Sequence, residues 1–309
     1  MRYMPWGIVL FAGLMANAHA APPERPPITG VSHIAVYASD PAKSEHFYAH
    51  DLGAVNDADP EQASGRRYYF APTQFVEVLP LPRGWTSLSR LDHIAFVTTD
   101  ADGLRRYLIY KHVAVVTRVR RGNDGSRWFD VKDPEGNDIQ FVQSPVHPAD
   151  IAVNPLSRHI IHIGFIIHDR ALEDTFFRGV LGFRPYWHGG MTNTRADWVS
   201  QQVPNGTDWL EYMQVGPPHG RGIPPDMKKS DAGVLDHFSL GVHNIEAAYT
   251  LLWNGGRLEG QDGNLPKIGR DAKWQLNLYD LDGTRAEIME LHAVGKPCCS
   301  PFTASDPTY

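Results

Sequence analysis

Four short apolar runs recur along the chain: GVSHIAVYA (30–38), RLDHIAFVT (90–98), HIIHIGFII (159–167) and VLDHFSLGV (234–242). Their small and β-branched residues and period-two alternation predict strands. Each has a histidine at its fourth position, His33, His93, His162 and His237, and the third run also opens on His159. A helical pattern follows each run. Asp40-Pro41 opens one that stops at Gly53, Asp169 opens one that stops at Gly182, and Asn244 opens one that stops at Gly255-Gly256. The segment after His93, DADGLRRYLIYKH, is a weaker helix because of Gly103. The chain then returns in further strands. QFVEVLP and DWLEYMQV close the first and third units. The turns Asp133–Gly136 and Asp280–Gly283 precede NDIQFVQ and TRAEIMEL, which close the second and fourth. The pattern is α+β: four βαβββ units.

The Pro-rich stretch 144–157 divides the units into two pairs, 28–143 and 158–292, and leaves a C-terminal tail, 293–309. The first 20 residues read as a signal peptide: Arg2, an apolar stretch from Trp6 to Ala16, then Ala18-His19-Ala20 as a cleavage site. Cleavage would begin the chain near Ala21 and deliver it to the periplasm or outside the cell, with no membrane span in the mature part. The formal charge of −6 gives no basic footprint for nucleic acid. The two cysteines, Cys298 and Cys299, are neighbours, so no long-range bridge forms within the chain and none between the pair is assumed.

Repeated βαβββ units with a histidine in the first strand and a glutamate in the last resemble the vicinal oxygen chelate superfamily. That superfamily includes glyoxalase I, methylmalonyl-CoA epimerase, the fosfomycin- and bleomycin-resistance proteins and the extradiol dioxygenases. The likeness runs over residues 28–292. It implies two curved-sheet halves, each around a cavity, with metal bound on the concave face. It also picks out the ligand positions. In the C-terminal half these are His162, Glu211, His237 and Glu287; in the N-terminal half they are His33, Glu77, His93 and Gln140. Alternation agrees for the last strand, where Arg285, Glu287 and Met289 share one face and Glu290 points the other way. Burying two carboxylates on one wall costs several kcal/mol unless they meet a cation. The C-terminal half is therefore the stronger metal site and the N-terminal half a second candidate.

Imidazole and carboxylate without sulfur suit Zn, Ni, Mn, Co or Fe. The leading expectation is a glyoxalase-, epimerase- or lyase-like enzyme acting on a small oxygenated molecule, with Glu287 or Glu211 as general base. One alternative is an extradiol-type dioxygenase using His162, His237 and Glu287. Another is a non-catalytic binding protein of the bleomycin-resistance kind. His188, Gln202, Arg270 and Lys273, with Trp187, Trp198 and Trp274, fall on segments expected near the C-terminal cavity. The chain is expected as a monomer or homodimer.

Overall fold

The computed structural model describes Met1 and residues 21–145, 150–216, 222–261 and 263–308. The expected signal peptide lies outside the described residues, as does part of the 144–157 linker. Among the described residues no helix is long and apolar enough to cross a membrane.

The first unit is β1 (Ile28–Ala38), α1 (Pro41–Glu45, continuing as a π-helical turn over His46–Asp51), β2 (Val55–Ala58), β3 (Arg66–Ala71) and β4 (Gln74–Pro80). The second is β5 (Leu91–Thr98), α2 (Ala101–Tyr110), β6 (Arg120–Arg121), β7 (Arg127–Lys132) and β8 (Asp138–Gln143). The third is β9 (Ile160–Ile167), α3 (Arg170–Asp174, with a π-helical turn over Thr175–Val180), β10 (Arg184–Gly189), β11 (Trp198–Gln202) and β12 (Trp209–Gln214). The fourth is β13 (His237–Val242), α4 (Ile245–Asn254), β14 (Lys267–Ile268), β15 (Trp274–Tyr279) and β16 (Arg285–Glu290). The βαβββ reading holds four times. Helix starts follow the sequence signals: the side chains of Asp40, Asp100, Asp169 and Asn244 each accept backbone N–H groups of the first turn. Gly103, which weakened the expected second helix, is what admits its cap. A Cβ there would overlap the Asp100 carboxylate that accepts Gly103 N–H.

Each pair of units forms one eight-stranded sheet, ordered β2-β3-β4-β1-β5-β8-β7-β6 and β10-β11-β12-β9-β13-β16-β15-β14. In both, the two histidine strands lie antiparallel at the centre, and each pairs in parallel with the closing strand of its own unit. Every ligand candidate therefore sits on one of four adjacent central strands. One apolar core runs through both halves, with Phe96 against Phe177 and Phe183, and Tyr48 and Phe70 near Phe238.

Two buried carboxylates join the halves. Glu173 accepts Glu135 N–H (3.3 Å) and Asp236 accepts the Ser89 hydroxyl (2.5 Å). Burial pushes Glu173 up to about 8, with the charges of Asp133 and Glu135 adding to it, and pushes Asp236 up to about 7. A folded-state value raised above the unfolded one contributes stability that is complete at low pH and lost as pH rises through the folded value. The protein kept metal-free with a chelator is therefore expected to melt at lower temperature at pH 9 than at pH 7.5, a window above the ordinary histidine value that spans the raised value of Glu173. Equal or higher melting at pH 9 would contradict the assignment.

The C-terminal tail was read only as a tail, yet it packs closely. Thr303 N–H donates to Tyr186 O (2.9 Å), and Lys273 Nζ donates to Asp306 (2.9 Å) and Leu291 O (2.7 Å). Cys298 and Cys299 are joined to one another, where no bridge between neighbours was assumed; Cys299 adopts positive φ (75°), which closes the chain on itself there.

Candidate metal centre

In the C-terminal half the central strands bring four side chains together. His162 Nε2 lies 3.1 Å from His237 Nε2, Glu287 Oε2 is 3.2 Å from His162 Nε2, and Glu211 Oε2 is 3.3 Å from His237 Nε2. Strand register produces this. Ser239 is level with both His162 and Glu287, while His237 is level with Gly164, itself level with Glu211. Both rings are fully buried. His237 Nδ1 donates to Leu235 O (2.8 Å), which leaves its Nε2 lone pair aimed at the other donors. Burial, reinforced by the charges of Arg285 and His162, pushes His237 well below its ordinary value, toward the neutral form a metal requires. Burial pushes Glu211 up, with the Glu287 charge adding to it. Burial also acts upward on Glu287, but the His162 hydrogen bond and the charges of His162 and Arg285 outweigh it and hold Glu287 at about 2. Two unlike carboxylates thus face two imidazole nitrogens, a donor set that fits a divalent cation.

Gly164 makes room for this arrangement. A Cβ there would overlap the His237 ring. Gly164→Ala is expected to fold, because its backbone is extended, and to weaken metal binding about 10–100-fold, the range for displaced outer-shell support. Calorimetric titration with Zn²⁺ or Mn²⁺ checks this; unchanged affinity would mean the ring position is irrelevant.

The N-terminal half repeats the geometry with different charges. His33 Nε2 and His93 Nε2 are 2.9 Å apart, and Glu77 Oε2 is 3.7 Å from His93 Nε2. Both Glu77 oxygens and Gln140 Oε1 are buried without hydrogen-bond partners. These residues could also hold a cation. One is already beside them: Arg67, level with Glu77 on the neighbouring strand, contacts Glu61 (2.8 Å), Asp59 (3.2 Å) and Glu77 (3.7 Å). The position corresponding to Arg67 in the C-terminal half is Ser200, level with Glu211. Gln140 Nε2 donates to Glu61 (3.0 Å) and Asp130 (3.2 Å). The aromatic behind each first histidine is retained: Phe75 stacks on His33 and Trp209 on His162.

Access differs between the halves. A cavity of about 360 Å³ is lined by Glu211, Glu287, Asn277, Arg285, Trp187 and Trp198 among others, so the C-terminal centre opens into it. A cavity of about 390 Å³ in the N-terminal half is lined by Arg67 and Asp59, and none of His33, Glu77, His93 or Gln140 reaches it.

Of the expected substrate contacts, Arg270 lines the C-terminal cavity, as do Trp187 and Trp198. Three others require correction. Lys273 is fully buried, bonded to Tyr186, Leu291 and Asp306 and packed against Trp209 and Phe302, so it anchors the tail. Gln202 is equally buried and donates to Thr207 O and Ser305 O. His188 lies on β10 outside the cavity lining, its backbone bonded to Ser300. Trp274 packs against the core. Glu290 turns away, as alternation requires, and accepts Ile245 N–H at the start of α4. Arg67 and Gly164 escaped the sequence reading. The signal for Arg67 was its place opposite Glu77, visible only once strand register is known. A further group, His46, His50 and Asp51, lies on the π-helical turn that follows α1.

A family model described as the Glyoxalase/Bleomycin resistance protein/Dioxygenase superfamily matches residues 30–141. No curated protein matches the chain significantly. Among solved structures, a Mn(II)-bound glyoxalase from Novosphingobium aromaticivorans superposes with a TM-score of 0.63 at 16% identity, over 86% of this chain and 83% of the other. An extradiol ring-cleaving dioxygenase from B. fuscum superposes with a TM-score of 0.64 at 16% identity, over 93% and 77%. Homoprotocatechuate 2,3-dioxygenase from Brevibacterium fuscum, in complex with 3,4-dihydroxyphenylacetate, gives 0.63 at 16%, over 91% and 86%. At such identities the likeness establishes the fold. The N-terminal half is a domain of the glyoxalase, bleomycin-resistance and dioxygenase superfamily, the vicinal oxygen chelate proteins, and the C-terminal half repeats its fold strand for strand.

Proposed function

We propose that the protein is an exported, metal-dependent enzyme of the glyoxalase, epimerase or lyase kind. It removes a proton beside a carbonyl of a small oxygenated substrate in the C-terminal cavity. The observation that carries this reading is that His162, Glu211 and His237 hold donor atoms within 4.8 Å of one another, with Glu287 3.2 Å from His162, where Glu211 and Glu287 border that cavity. A divalent ion held by these four would supply Lewis acidity toward the substrate oxygens. The chain's own groups divide the remaining work. Glu287, held at about 2, stays ionised and serves as an anchor. Glu211, pushed upward and 15% exposed at the cavity wall, is the general base that accepts the proton. Trp187, Trp198 and Met289 line the same space and exclude water from the bound substrate.

The test is solvent-deuterium incorporation, followed by NMR, into a panel of α-hydroxy aldehydes and ketones incubated in D₂O with metal-loaded protein. Exchange at the carbon beside the carbonyl is expected, and Glu211→Gln should abolish it while still binding metal at reduced affinity. No exchange across the panel, with oxygen uptake on catechols after loading with Fe²⁺, would favour an extradiol dioxygenase instead. That second reading draws on His162, His237 and Glu287 as two imidazoles and one carboxylate. Against it, Glu211 occupies a fourth donor position, and Asn277, level with Glu287, stands where those enzymes usually place a tyrosine.

A further inference from the structure

We propose that the substrate of the C-terminal cavity is an anion, and that Arg285 binds its carboxylate or phosphate group; this rests on the metal reading above. Arg285 opens β16 on the face of Glu287 and is level with His237 on the adjacent strand. Arg285 lines the cavity. Among the described residues no hydrogen bond or ion pair holds it, and its Nε is buried without a partner. An unpaired buried donor, above all a charged one, costs stability until an acceptor arrives. The neighbouring acids are committed elsewhere. Glu211 and Glu287 belong to the metal centre, Asp271 Oδ1 accepts Lys273 N–H (3.1 Å), and Asp236, which also feels the Arg285 charge, accepts the Ser89 hydroxyl (2.5 Å).

The charge balance points the same way. The wall carries three cationic side chains, Arg270, Arg285 and Lys267, and three acidic ones, Glu211, Glu287 and Asp271. A divalent ion neutralises the first two acids, which leaves three cations facing Asp271 alone. Arg270 is partly satisfied by Gly190 O (3.1 Å) and Asn193 Oδ1 (2.5 Å) and adds to the field without being free. Arg285 is the cation beside the centre with unfilled donors, and a planar fork of N–H groups suits a carboxylate or phosphate. The anionic group and the substrate oxygens near Glu287 share a cavity at the small end of ligand sites.

Calorimetry on Zn²⁺-loaded protein with benzoate, phenyl phosphate and benzamide tests this, with metal content measured on the same samples. Benzamide has nearly the shape of benzoate without its charge. One of the two anions should bind at least about tenfold more tightly than benzamide, a difference of about 1.4 kcal/mol; the tighter one identifies carboxylate or phosphate as the natural group. At matched Zn²⁺ occupancy, Arg285→Gln should erase the preference and Arg285→Lys should retain part of it. Equal binding of anion and amide, no anion binding at millimolar concentration, or a preference that survives Arg285→Gln would overturn the assignment. A metal-loaded protein without anion preference defeats this inference alone, whereas a protein that takes up no metal defeats the metal reading with it.

Discussion

His237→Ala is expected to lose divalent-metal affinity by more than about 100-fold, beyond the loss tied to an outer-shell partner. The reason is geometric. His237 Nε2 lies 3.1 Å from His162 Nε2 and 3.3 Å from Glu211, so it touches both of the third unit's ligands from the fourth unit. Its ring orientation is fixed by Leu235 O and by the space at Gly164. Glu287→Gln should also lower affinity sharply, because a neutral amide replaces the carboxylate held ionised beside His162. Glu290→Gln provides the contrast. Its carboxylate faces away and caps α4 at Ile245, so metal binding should be unchanged. Titration of the three variants with Zn²⁺ or Mn²⁺, with circular dichroism to confirm folding, checks the set. Equal affinities across them would refute the centre.

Arg67→Ser is expected to produce the largest loss of stability in the metal-free protein, about 3–5 kcal/mol, the range for breaking a buried ion pair from one side. The Arg67 side chain is 3% exposed and sits among Asp59 and Glu77, at least as deeply buried, and Glu61, whose side chain is 8% exposed. Its removal leaves three acids with no guanidinium beside them. Serine is the residue at the matching position of the C-terminal half, so the variant makes one half resemble the other. Zn²⁺ or Mn²⁺ should then restore much of the loss by binding His33, His93 and Glu77, and urea melts with and without metal measure both effects. If the variant is as stable as the wild type, or gains nothing from metal, Arg67 does not stand in for a cation there.

The strands, helix starts and unit count were legible because they rest on local chemistry. Alternation placed Arg285, Glu287 and Met289 on one face, and the structure puts all three on the cavity wall. Asp40, Asp169 and Asn244 opened their helices as such residues do. What escaped depends on contacts between distant segments. Arg67 meets Glu77 only through strand register, and Gly164 matters only because His237 lies across from it. Lys273 and Gln202 looked like substrate contacts because they flank the right segments, yet their partners Asp306 and Ser305 come from a tail whose path no local pattern reveals. Both are held in place by residues far along the chain.

A divalent cation should bind between His162, Glu211, His237 and Glu287. Anomalous diffraction from crystals of the wild-type protein soaked in Mn²⁺ or Zn²⁺ tests it most directly. A strong anomalous peak is expected within coordination distance of His162 Nε2, His237 Nε2 and the two carboxylates, about 2.0–2.2 Å if the ion is zinc. A peak only at other positions, or none at this one under saturating metal, would contradict it.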